Sequence, residues 1–439
     1  MENRYDKYKD SGIAWIGEIP EHWEVIKIKQ LLKNNSLKVG PFGSQLSGSD
    51  ILSDGKYWIY NQRTVLDNNY SSCNSFITHE KYNDLIGFKV NADDILLTTR
   101  GTIGKISRVP TTFNEGVIHP CIIRFNLNEN ILKYDILKYI FNDSDLVINQ
   151  VKYNSNSTTI DVIYSDTLKN IILTCIPKEE QQSIATYLDQ KCGEIDELIT
   201  LQDEMITKLQ SYKQSVITEA VTKGLDKNVP LKDSGIEWIG EIPEHWDTYK
   251  LKRCSKFING YAFNSNHFNK DKGIPVIRIG DILNEQISFE NIVYVQENNE
   301  LEKFIVHKND ILIAMSGATV GKIGLYSSDD IVYINQRVGI IRATLYNYIK
   351  RMFSTNGFID YINLSSAGSA QPNISSDGIL NFNIPVPPIN EQQSIADYLD
   401  QKCSEIDELI SIKQQKIEKL KDYKKSLIFE CVTGKRKVS

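Results

Sequence analysis

The sequence of 439 residues predicts an α+β protein in which two pseudo-twofold-related α/β domains are separated by two long antiparallel helices that form a coiled-coil spacer. Two near-exact internal repeats carry this prediction. "DSGIAWIGEIPEHW" (10–23) returns as "DSGIEWIGEIPEHW" (233–246) with 13 of 14 positions identical, and "EQQSIATYLDQKCGEIDELI" (180–199) returns as "EQQSIADYLDQKCSEIDELI" (391–410) with 18 of 20 identical. Because long internal repeats decide architecture, the chain is interpreted as two tandem copies of one fold.

The repeats divide the chain into six predicted segments. They are an N-terminal connector (1–23), a first variable domain (24–177), a first spacer helix (178–223), a connector repeat (224–246), a second variable domain (247–388) and a second spacer helix (389–439). Both variable domains contain short β-branched and aromatic runs, such as "DILLT" and "VGIIRA", which Gly, Asn and Asp interrupt. This pattern is typical of strands accompanied by a few helices.

Each spacer helix is predicted from apolar residues at the seven-residue period of a coiled coil. The seam residues, which we expect to hold the spacer together or to bind a partner, are Leu188, Ile195, Ile199, Ile206 and Leu209 in the first helix and Leu399, Ile406, Ile410, Ile417 and Leu420 in the second. A helix of about 35 residues would be about 50 Å long at ~1.5 Å per residue. Two such helices in one chain pack most simply in antiparallel fashion.

Composition and charge exclude several classes of protein. The net charge is −6, and the two variable domains are nearly neutral, with 16 Lys+Arg against 15 Asp+Glu in 24–177 and 14 against 13 in 247–388. A nucleic-acid partner would therefore not be held by bulk charge from this chain alone. No run of eighteen apolar residues offers a membrane span, and the polar N-terminus lacks the apolar stretch of a signal peptide, so a cytoplasmic protein without membrane contact is expected. The seven cysteines, which include no C-x-x-C pair, are expected to be reduced packing residues.

The sequence offers no convincing catalytic motif. "GATVGKI" (317–323) is one residue short of a phosphate-binding loop and has Ile in place of the hydroxyl that would bind magnesium. His22 and His245 lie in the repeated "PEHW" segments, where packing of a connector is the better interpretation. The other histidines lack metal-ligand spacing. A noncatalytic protein is therefore predicted over a nuclease or methyltransferase with its own duplicated active site.

The order of these repeats resembles the specificity (S) subunit of type I restriction-modification systems over nearly the whole chain. The most specific parts are the two P-x-x-E-Q-Q segments (177–182 and 388–393) and the linker "AVTKGLDKNVPLKDSGIEWIGEIPEHW" (220–246). The resemblance implies that the variable domains are target recognition domains, each reading one half of a bipartite, asymmetric site in double-stranded DNA, and that the helices bind two methyltransferase (M) subunits. It also implies that this chain binds no cofactor. S-adenosylmethionine would lie on the methyltransferase, and ATP and magnesium on a restriction (R) subunit where one joins.

Candidate base-reading residues are chosen by side-chain chemistry, since Arg and Lys favour guanine, Asn and Gln favour adenine, and Ser and Thr accept either. In the first domain they are Gln62, Arg63, Arg100, Lys105, Asn156, Ser157 and Thr158; in the second they are Arg278, Ser316, Lys322, Gln336, Arg337, Ser369, Gln371 and Asn373. The alternative is a coiled-coil scaffold or adaptor that joins two protein-binding domains without reading DNA.

Overall fold

The structure, a computed structural model, describes residues 4–154, 162–283, 285–366 and 372–438. They form two compact units. Unit 1 consists of Met1–Gln202 with Gln415–Ser439, and unit 2 consists of Asp203–Gln414. Each unit thus combines one variable domain with the start of one long helix and the end of the other.

Unit 1 contains short strands and short helices before its first long helix. The described strands are β1 (Tyr8–Asp10), β2 (Glu18–Pro20), β3 (Glu24–Lys27), β4 (Lys38–Val39), β5 (Tyr57–Tyr60), β6 (Phe76–Ile77), β7 (Ile95–Thr98), β8 (Ile106–Arg108), β9 (Gly116–Ile118), β10 (Ile122–Phe125) and β11 (Ile172–Cys175). The helices are α1 (Ile28–Leu31), α2 (Gln62–Leu66), α3 (His79–Asp84), α4 (Tyr134–Lys138), α5 (Leu146–Asn154), α6 (Ser165–Asn170) and α7 (Lys178–Lys223), and a π-helical turn, Tyr139–Asp143, extends α4.

Unit 2 repeats this pattern. Its described strands are β12 (Leu231–Asp233), β13 (Glu241–Pro243), β14 (Asp247–Lys250), β15 (Lys256–Asn259), β16 (Ile274–Ile277), β17 (Ile282–Leu283), β18 (Gln286–Ile287), β19 (Val293–Val295), β20 (Ile305–Val306), β21 (Ile311–Ala314), β22 (Ile323–Leu325), β23 (Val332–Ile334), β24 (Val338–Arg342) and β25 (Asn383–Val386). Its helices are α8 (Tyr346–Phe353), α9 (Asn356–Ser366), α10 (Ser376–Leu380) and the start of α11 (Ile389–Val432).

The sheets of the two variable domains correspond strand by strand. Antiparallel strands in the order β4-β10-β7-β8 in unit 1 match β15-β24-β21-β22 in unit 2. Beside each lies a second sheet that contains one parallel pair, β5 with β9 in unit 1 and β16 with β23 in unit 2. The central strands β7 and β21 are buried along their whole length because side chains pack on both of their faces.

The long helices run antiparallel within each unit. In unit 1 the Lys424 ammonium, near the end of α11, lies 2.8 Å from Asp196 near the start of α7. In unit 2 Lys213, near the end of α7, lies 2.7 Å from Asp407 near the start of α11. The helices have 46 and 44 residues. The first begins and ends at the predicted residues, 178 and 223, and the second begins at the predicted residue 389 and ends at 432. Both extend ahead of the first seam residue because the E-Q-Q segments form their first turns.

The repeated segments bind each other, which explains why they recur together. In unit 1 the Glu180 carboxylate accepts hydrogen bonds from His22 Nε2 at 2.7 Å and from Trp23 Nε1 at 3.2 Å. In unit 2 Glu391 accepts the equivalent bonds from His245 at 2.7 Å and Trp246 at 2.9 Å. Both tryptophans are fully buried. Each "PEHW" therefore attaches its connector to the first turn of a long helix.

The predicted fold class is confirmed: α+β, with two corresponding strand-rich domains and two long antiparallel helices. In each unit the largest apolar core includes both long helices and the helical side of the variable domain. All seven cysteines are free thiols. Among the residues described, no helix is apolar enough over a sufficient length to cross a bilayer.

Candidate nucleic-acid interface

Three loops of unit 1 meet at one edge of its sheets. We call this set, Asn61–Gln62, Thr99–Thr102 and His119–Cys121, the first loop edge. Because β5 and β9 are parallel, the loops that follow them, beginning at Asn61 and His119, leave the sheet on the same side. Strand β7 is antiparallel to β10, so its end lies beside the beginning of β10 and brings Thr99 to the same place.

Hydrogen bonds hold these loops together. The Thr99 amide donates to the Cys121 carbonyl at 3.0 Å, and the His119 amide donates to the Tyr60 carbonyl at 3.0 Å. The Gln62 side-chain amide donates to the Thr102 carbonyl at 3.3 Å, crossing from one loop to the next. Side chains on the first loop edge are thus presented by a connected backbone.

The second loop edge in unit 2 has the same construction. It consists of Met315–Gly317, Asn335–Arg337 and Pro372–Asn373. The Met315 amide donates to the Arg337 carbonyl at 2.9 Å, and the Asn335 amide donates to the Ile277 carbonyl at 2.9 Å. The Gly317 amide donates to the Pro372 carbonyl at 2.9 Å. Two domains of low sequence similarity therefore keep the same loop arrangement.

His119 is a neutral component of the first loop edge. Burial, followed by the nearby charge of Arg100, lowers the pKa of its imidazole. Its Nδ1 accepts a hydrogen bond from the Cys121 amide at 3.2 Å, which requires that nitrogen to be unprotonated. The positive charge at this edge therefore comes from the exposed Arg100.

The structure brings six of the predicted base-reading residues to the loop edges. Arg100, Gln336, Arg337 and Asn373 are exposed, Gln62 is half-buried and Ser316 is buried. Arginine, glutamine and asparagine are the side chains that read base edges in pairs of hydrogen bonds. The loop edges therefore carry the chemistry needed to distinguish bases.

Four other predicted residues are engaged elsewhere. The Arg63 Nε lies 3.2 Å from Asp67, and the Arg63 side chain is 82% exposed. Arg278 is hydrogen-bonded to Asp281 and to the Asn291 carbonyl.

The two predicted lysines lie toward the helices of their units. The Lys105 ammonium donates to the Asn142 carbonyl, and burial lowers its pKa. Lys322 is exposed and lines a cleft of about 350 Å³ with Phe353 and Ile362. The remaining predicted residues, Asn156, Ser157, Thr158, Ser369 and Gln371, lie outside the described part of the chain.

The predicted seam residues lie inside the helix pairs. Leu188 and Ile195 belong to the core of unit 1 together with Leu427 of α11. In unit 2 the equivalent residues are Leu399, which belongs to the core, and Ile406, which is also buried. Ile417 is also buried, whereas Ile199, Ile206, Leu209, Ile410 and Leu420 are half-buried. The seam thus joins the helices to each other, and a partner would meet a different face.

Sequence reasoning missed that outward face. Tyr187, Lys191 and Glu194 on α7 lie beside Tyr423 on α11 in unit 1. We call them the first aromatic face. The pKa of Lys191 is raised, chiefly by the hydrogen bond and charge of Glu194, with smaller contributions from Tyr187 and Tyr423. The tyrosines at matching positions of the repeats were the available sequence signal.

Unit 2 repeats this arrangement as the second aromatic face, made of Tyr398, Lys402, Glu405 and Tyr212. The pKa of Lys402 is raised in the same order, first by the hydrogen bond that it donates to Glu405, then by the Glu405 charge, and less by Tyr398 and Tyr212. Tyr212 and Tyr423 are 57% and 53% exposed. Tyrosine is among the residues enriched at protein interfaces.

The described ranges contain no group of three or more His, Cys, Asp or Glu side chains arranged to hold a metal ion.

Comparison with known proteins identifies one family. The profile described as "Type I restriction modification DNA specificity domain" matches residues 20–208 and 243–422. The MjaVIII type I restriction enzyme specificity subunit of Methanocaldococcus jannaschii is 26% identical over 433 residues, which cover 96% of this chain and 94% of that protein. The EcoBI specificity subunit of Escherichia coli is 27% identical over 208 residues, or 47% of this chain and 42% of that protein.

Two solved structures share the fold. A chain solved under the description "Structural basis underlying complex assembly and conformational transition of the type I R-M system" aligns with a TM-score of 0.71 at 16% identity, over 95% of this chain and 99% of that chain. The HsdS subunit from Thermoanaerobacter tengcongensis aligns with a TM-score of 0.51 at 15% identity, over 95% and 98%. At these identities the likeness is one of fold.

Proposed function

The chain belongs to the family of type I restriction modification DNA specificity domains, and from this premise we propose that it is the DNA-reading subunit of a type I restriction-modification complex. Each variable domain is a target recognition domain that reads one half of a bipartite, asymmetric site in double-stranded DNA. The observation that carries the proposal is the duplicated loop edge. Both domains gather exposed Arg, Gln or Asn side chains on connected loops, but the residues differ, and so the two half-sites should differ.

The exposed charge of this chain is too small for it to bind DNA tightly alone. Nonspecific affinity depends on many phosphate contacts by Lys and Arg, and each variable domain has a net charge near zero. The partner subunits therefore supply much of the electrostatic attraction, while the loop edges supply sequence preference. This division of labour favours a complex over an isolated DNA-binding protein.

Two methyltransferase subunits bind the first and second aromatic faces. Two equivalent faces in one chain suit two copies of one partner, because each copy meets the same tyrosines and the same Lys–Glu pair. Exposed Leu198 and Leu201 in unit 1 and Leu409 and Ile412 in unit 2 add apolar surface. S-adenosylmethionine is bound by these partners, and ATP and magnesium by a restriction subunit where one joins, while this chain does no chemistry.

The experiment co-expresses the full chain with the methyltransferase subunit of its own system and maps methylated bases in the host DNA. We expect one bipartite motif with unlike halves. Replacing residues 247–388 with the second variable domain of another family member should change one half and leave the other intact. Methylation without any motif, or a change in both halves, would contradict the proposal.

The scaffold alternative makes a different prediction. A protein that only joins two other proteins would leave no footprint on DNA with its methyltransferase present. Footprinting the chain alone, the methyltransferase alone and the assembled complex separates the two functions, because a sequence-specific footprint is expected from the assembled complex.

A further inference from the structure

An unusually exposed aromatic ring stands beside the first loop edge. Phe42, in the segment "GPFGSQ" (40–45), is 78% exposed. Single exposed apolar residues are common on protein surfaces and need no explanation by themselves. The interest of Phe42 lies in how its backbone is held and in what lies next to it.

Hydrogen bonds fix the turn that carries Phe42. Its amide donates to the Gln45 side-chain oxygen at 3.0 Å, and its carbonyl accepts from the Gln45 amide at 2.8 Å and from the Leu46 amide at 3.1 Å. Leu46 is buried in the domain. The ring is thus presented to solvent from an ordered turn anchored in the core, so little backbone entropy would be lost if it bound a ligand.

The turn packs directly on the first loop edge. The Gly40 amide donates to the Ile122 carbonyl at 2.9 Å, and the backbones are so close that a Cβ atom at Gly40 would lie 2.2 Å from the His119 carbonyl oxygen. Cys121, two residues after His119, is bonded to Thr99, which precedes Arg100. The exposed Phe42 ring therefore lies next to the loops that carry Arg100 and Gln62.

The second domain repeats the arrangement with different residues. A Cβ atom at Gly260 would lie 2.1 Å from the Asn335 carbonyl oxygen, so "GYAFNS" (260–265) crosses the second loop edge as "GPFGSQ" crosses the first. Tyr261 follows this glycine, is 41% exposed, and donates its amide to the Ile334 carbonyl at 3.0 Å. Arg337 lies on the loop that Gly260 contacts.

We propose that Phe42 and Tyr261 are base-stacking residues, one for each half-site, that insert against a base next to those read by the neighbouring loop edge. The inference rests on the proposed function and adds a mode of contact to it. An aromatic ring can stack on any base because every base has a π-face, and apolar wedges inserted between base steps unstack and kink the duplex. Phe42 follows Gly40 by two residues and Tyr261 follows Gly260 by one, so each domain carries a ring next to the crossing although their loop sequences differ. One side of the Tyr261 ring is held by Phe263, with the ring centroids 4.9 Å apart.

The test uses the assembled complex of the full chain with its methyltransferase and DNA that contains the motif found in vivo. Phe42→Ala should weaken specific binding by about 5- to 150-fold, the equivalent of about 1–3 kcal/mol for one stacked base. Phe42→Trp, which keeps a stacking ring, should bind close to the unsubstituted protein. The matched control is Leu52→Ala, because Leu52 is 39% exposed in the same domain but pairs with Phe76 on the outer side of β6, away from β9 and His119.

A second readout places 2-aminopurine at successive positions of each half-site. Fluorescence should rise at one position of one half-site on binding, and Phe42→Ala should abolish that rise while the signal in the other half remains. Tyr261→Ala should do the reverse, and Tyr261→Phe should behave like the unsubstituted protein. Reciprocal loss would establish one ring for each half-site.

Two results would overturn the inference while the proposed function stands. In one, Phe42→Ala binds and methylates the motif as well as the unsubstituted complex does. In the other, Phe42→Ala reduces copurification with the methyltransferase, which would make the ring a protein contact. If the unsubstituted complex shows no sequence preference, the proposed function itself fails.

Discussion

The same substitution at two equivalent repeat positions should have unequal effects, because the variable domains are anchored to the long helices by different chemistry. In unit 2 the Arg351 guanidinium of α8 binds Asp400 of α11, and Glu285 lies 3.9 Å from it. In unit 1 the Tyr139 hydroxyl donates to Asp189 of α7 at 2.6 Å. Asp189 and Asp400 occupy the same position in the two E-Q-Q segments.

The expected magnitudes follow from burial. The Arg351 side chain is 7% exposed; burial opposes its charge, but the bond to Asp400 and the charges of Asp400 and Glu285 outweigh it and raise the pKa of the guanidinium. Removing one partner of a buried ion pair costs about 3–5 kcal/mol. Because Asp400 is 47% exposed and Glu285 remains, we expect about 2 kcal/mol for Asp400→Asn. Asp189→Asn keeps an acceptor for the neutral Tyr139 hydroxyl and should cost about 0.5 kcal/mol.

Hydrogen exchange on the full chain measures this difference locally. Amides of α8 should exchange about 30-fold faster in Asp400→Asn, whereas those of α4 should change about 2-fold in Asp189→Asn, since 1.4 kcal/mol is a factor of ten. Added salt should reduce the effect in unit 2 more than in unit 1. Equal acceleration in the two variants, or none in Asp400→Asn, would refute the argument that a buried charge needs this partner.

Three further predictions concern the Glu180 carboxylate that attaches the connector to α7, the seam residue Ile195 and the loop residue Arg337. Burial opposes ionisation of Glu180, but hydrogen bonds from neighbouring side chains outweigh it and lower its pKa. Its carboxylate therefore adds stability that is full above the usual Glu pKa of about 4.3 and is lost as the pH falls through the lower folded value. In chemical denaturation, Glu180→Gln should lower the free energy of unfolding by about 1 kcal/mol at pH 7 and should lose less stability below about pH 4 than the unsubstituted protein does. If both proteins lose stability equally with falling pH, Glu180 does not act through its charge. Ile195→Glu buries a carboxylate in the seam, so it should lower the free energy of unfolding by about 3 kcal/mol or more and reduce copurification with the methyltransferase. The control Thr200→Glu, on the exposed side of α7, should do neither. A normal yield of complex from Ile195→Glu would contradict the helix pairing. Arg337→Ala should reduce discrimination at one base pair by about 1–3 kcal/mol in methylation assays and leave assembly intact, and retention of full specificity would remove Arg337 from the readout.

Periodic and repeated features could be predicted from the sequence. The E-Q-Q repeats and the heptads predicted two long antiparallel helices, because helix periodicity is a local property of the chain. The bounds predicted for the first helix, 178–223, match α7. The seam alone does not mark its first turn, where Gln181 is buried and donates to the Ile131 and Ile176 carbonyls. The "PEHW" histidines were interpreted as packing residues, and their binding to Glu180 and Glu391 is a structural role of that kind.

The direction in which a side chain points depended on the tertiary structure. Lys105 and Arg278 have the right chemistry for reading bases, yet both donate to carbonyl groups of their own unit. Phe42 and His119 have no residue type that marks a base reader, yet His119 lies in the first loop edge and Phe42 lies beside it. Nothing in the local sequence distinguishes these cases.

The sequence by itself determined that this chain is a duplicated α+β protein with two helical arms and no catalytic motif, because repeats, periodicity and missing motifs can be read without knowing which distant residues meet. Only the tertiary structure decided which side chains share a surface. The parallel pairing of β5 with β9 and of β16 with β23 brings loops together that are about 60 residues apart in the chain. Such pairings join segments remote in sequence, and the contacts that stabilise them are spread over a core to which no single motif corresponds.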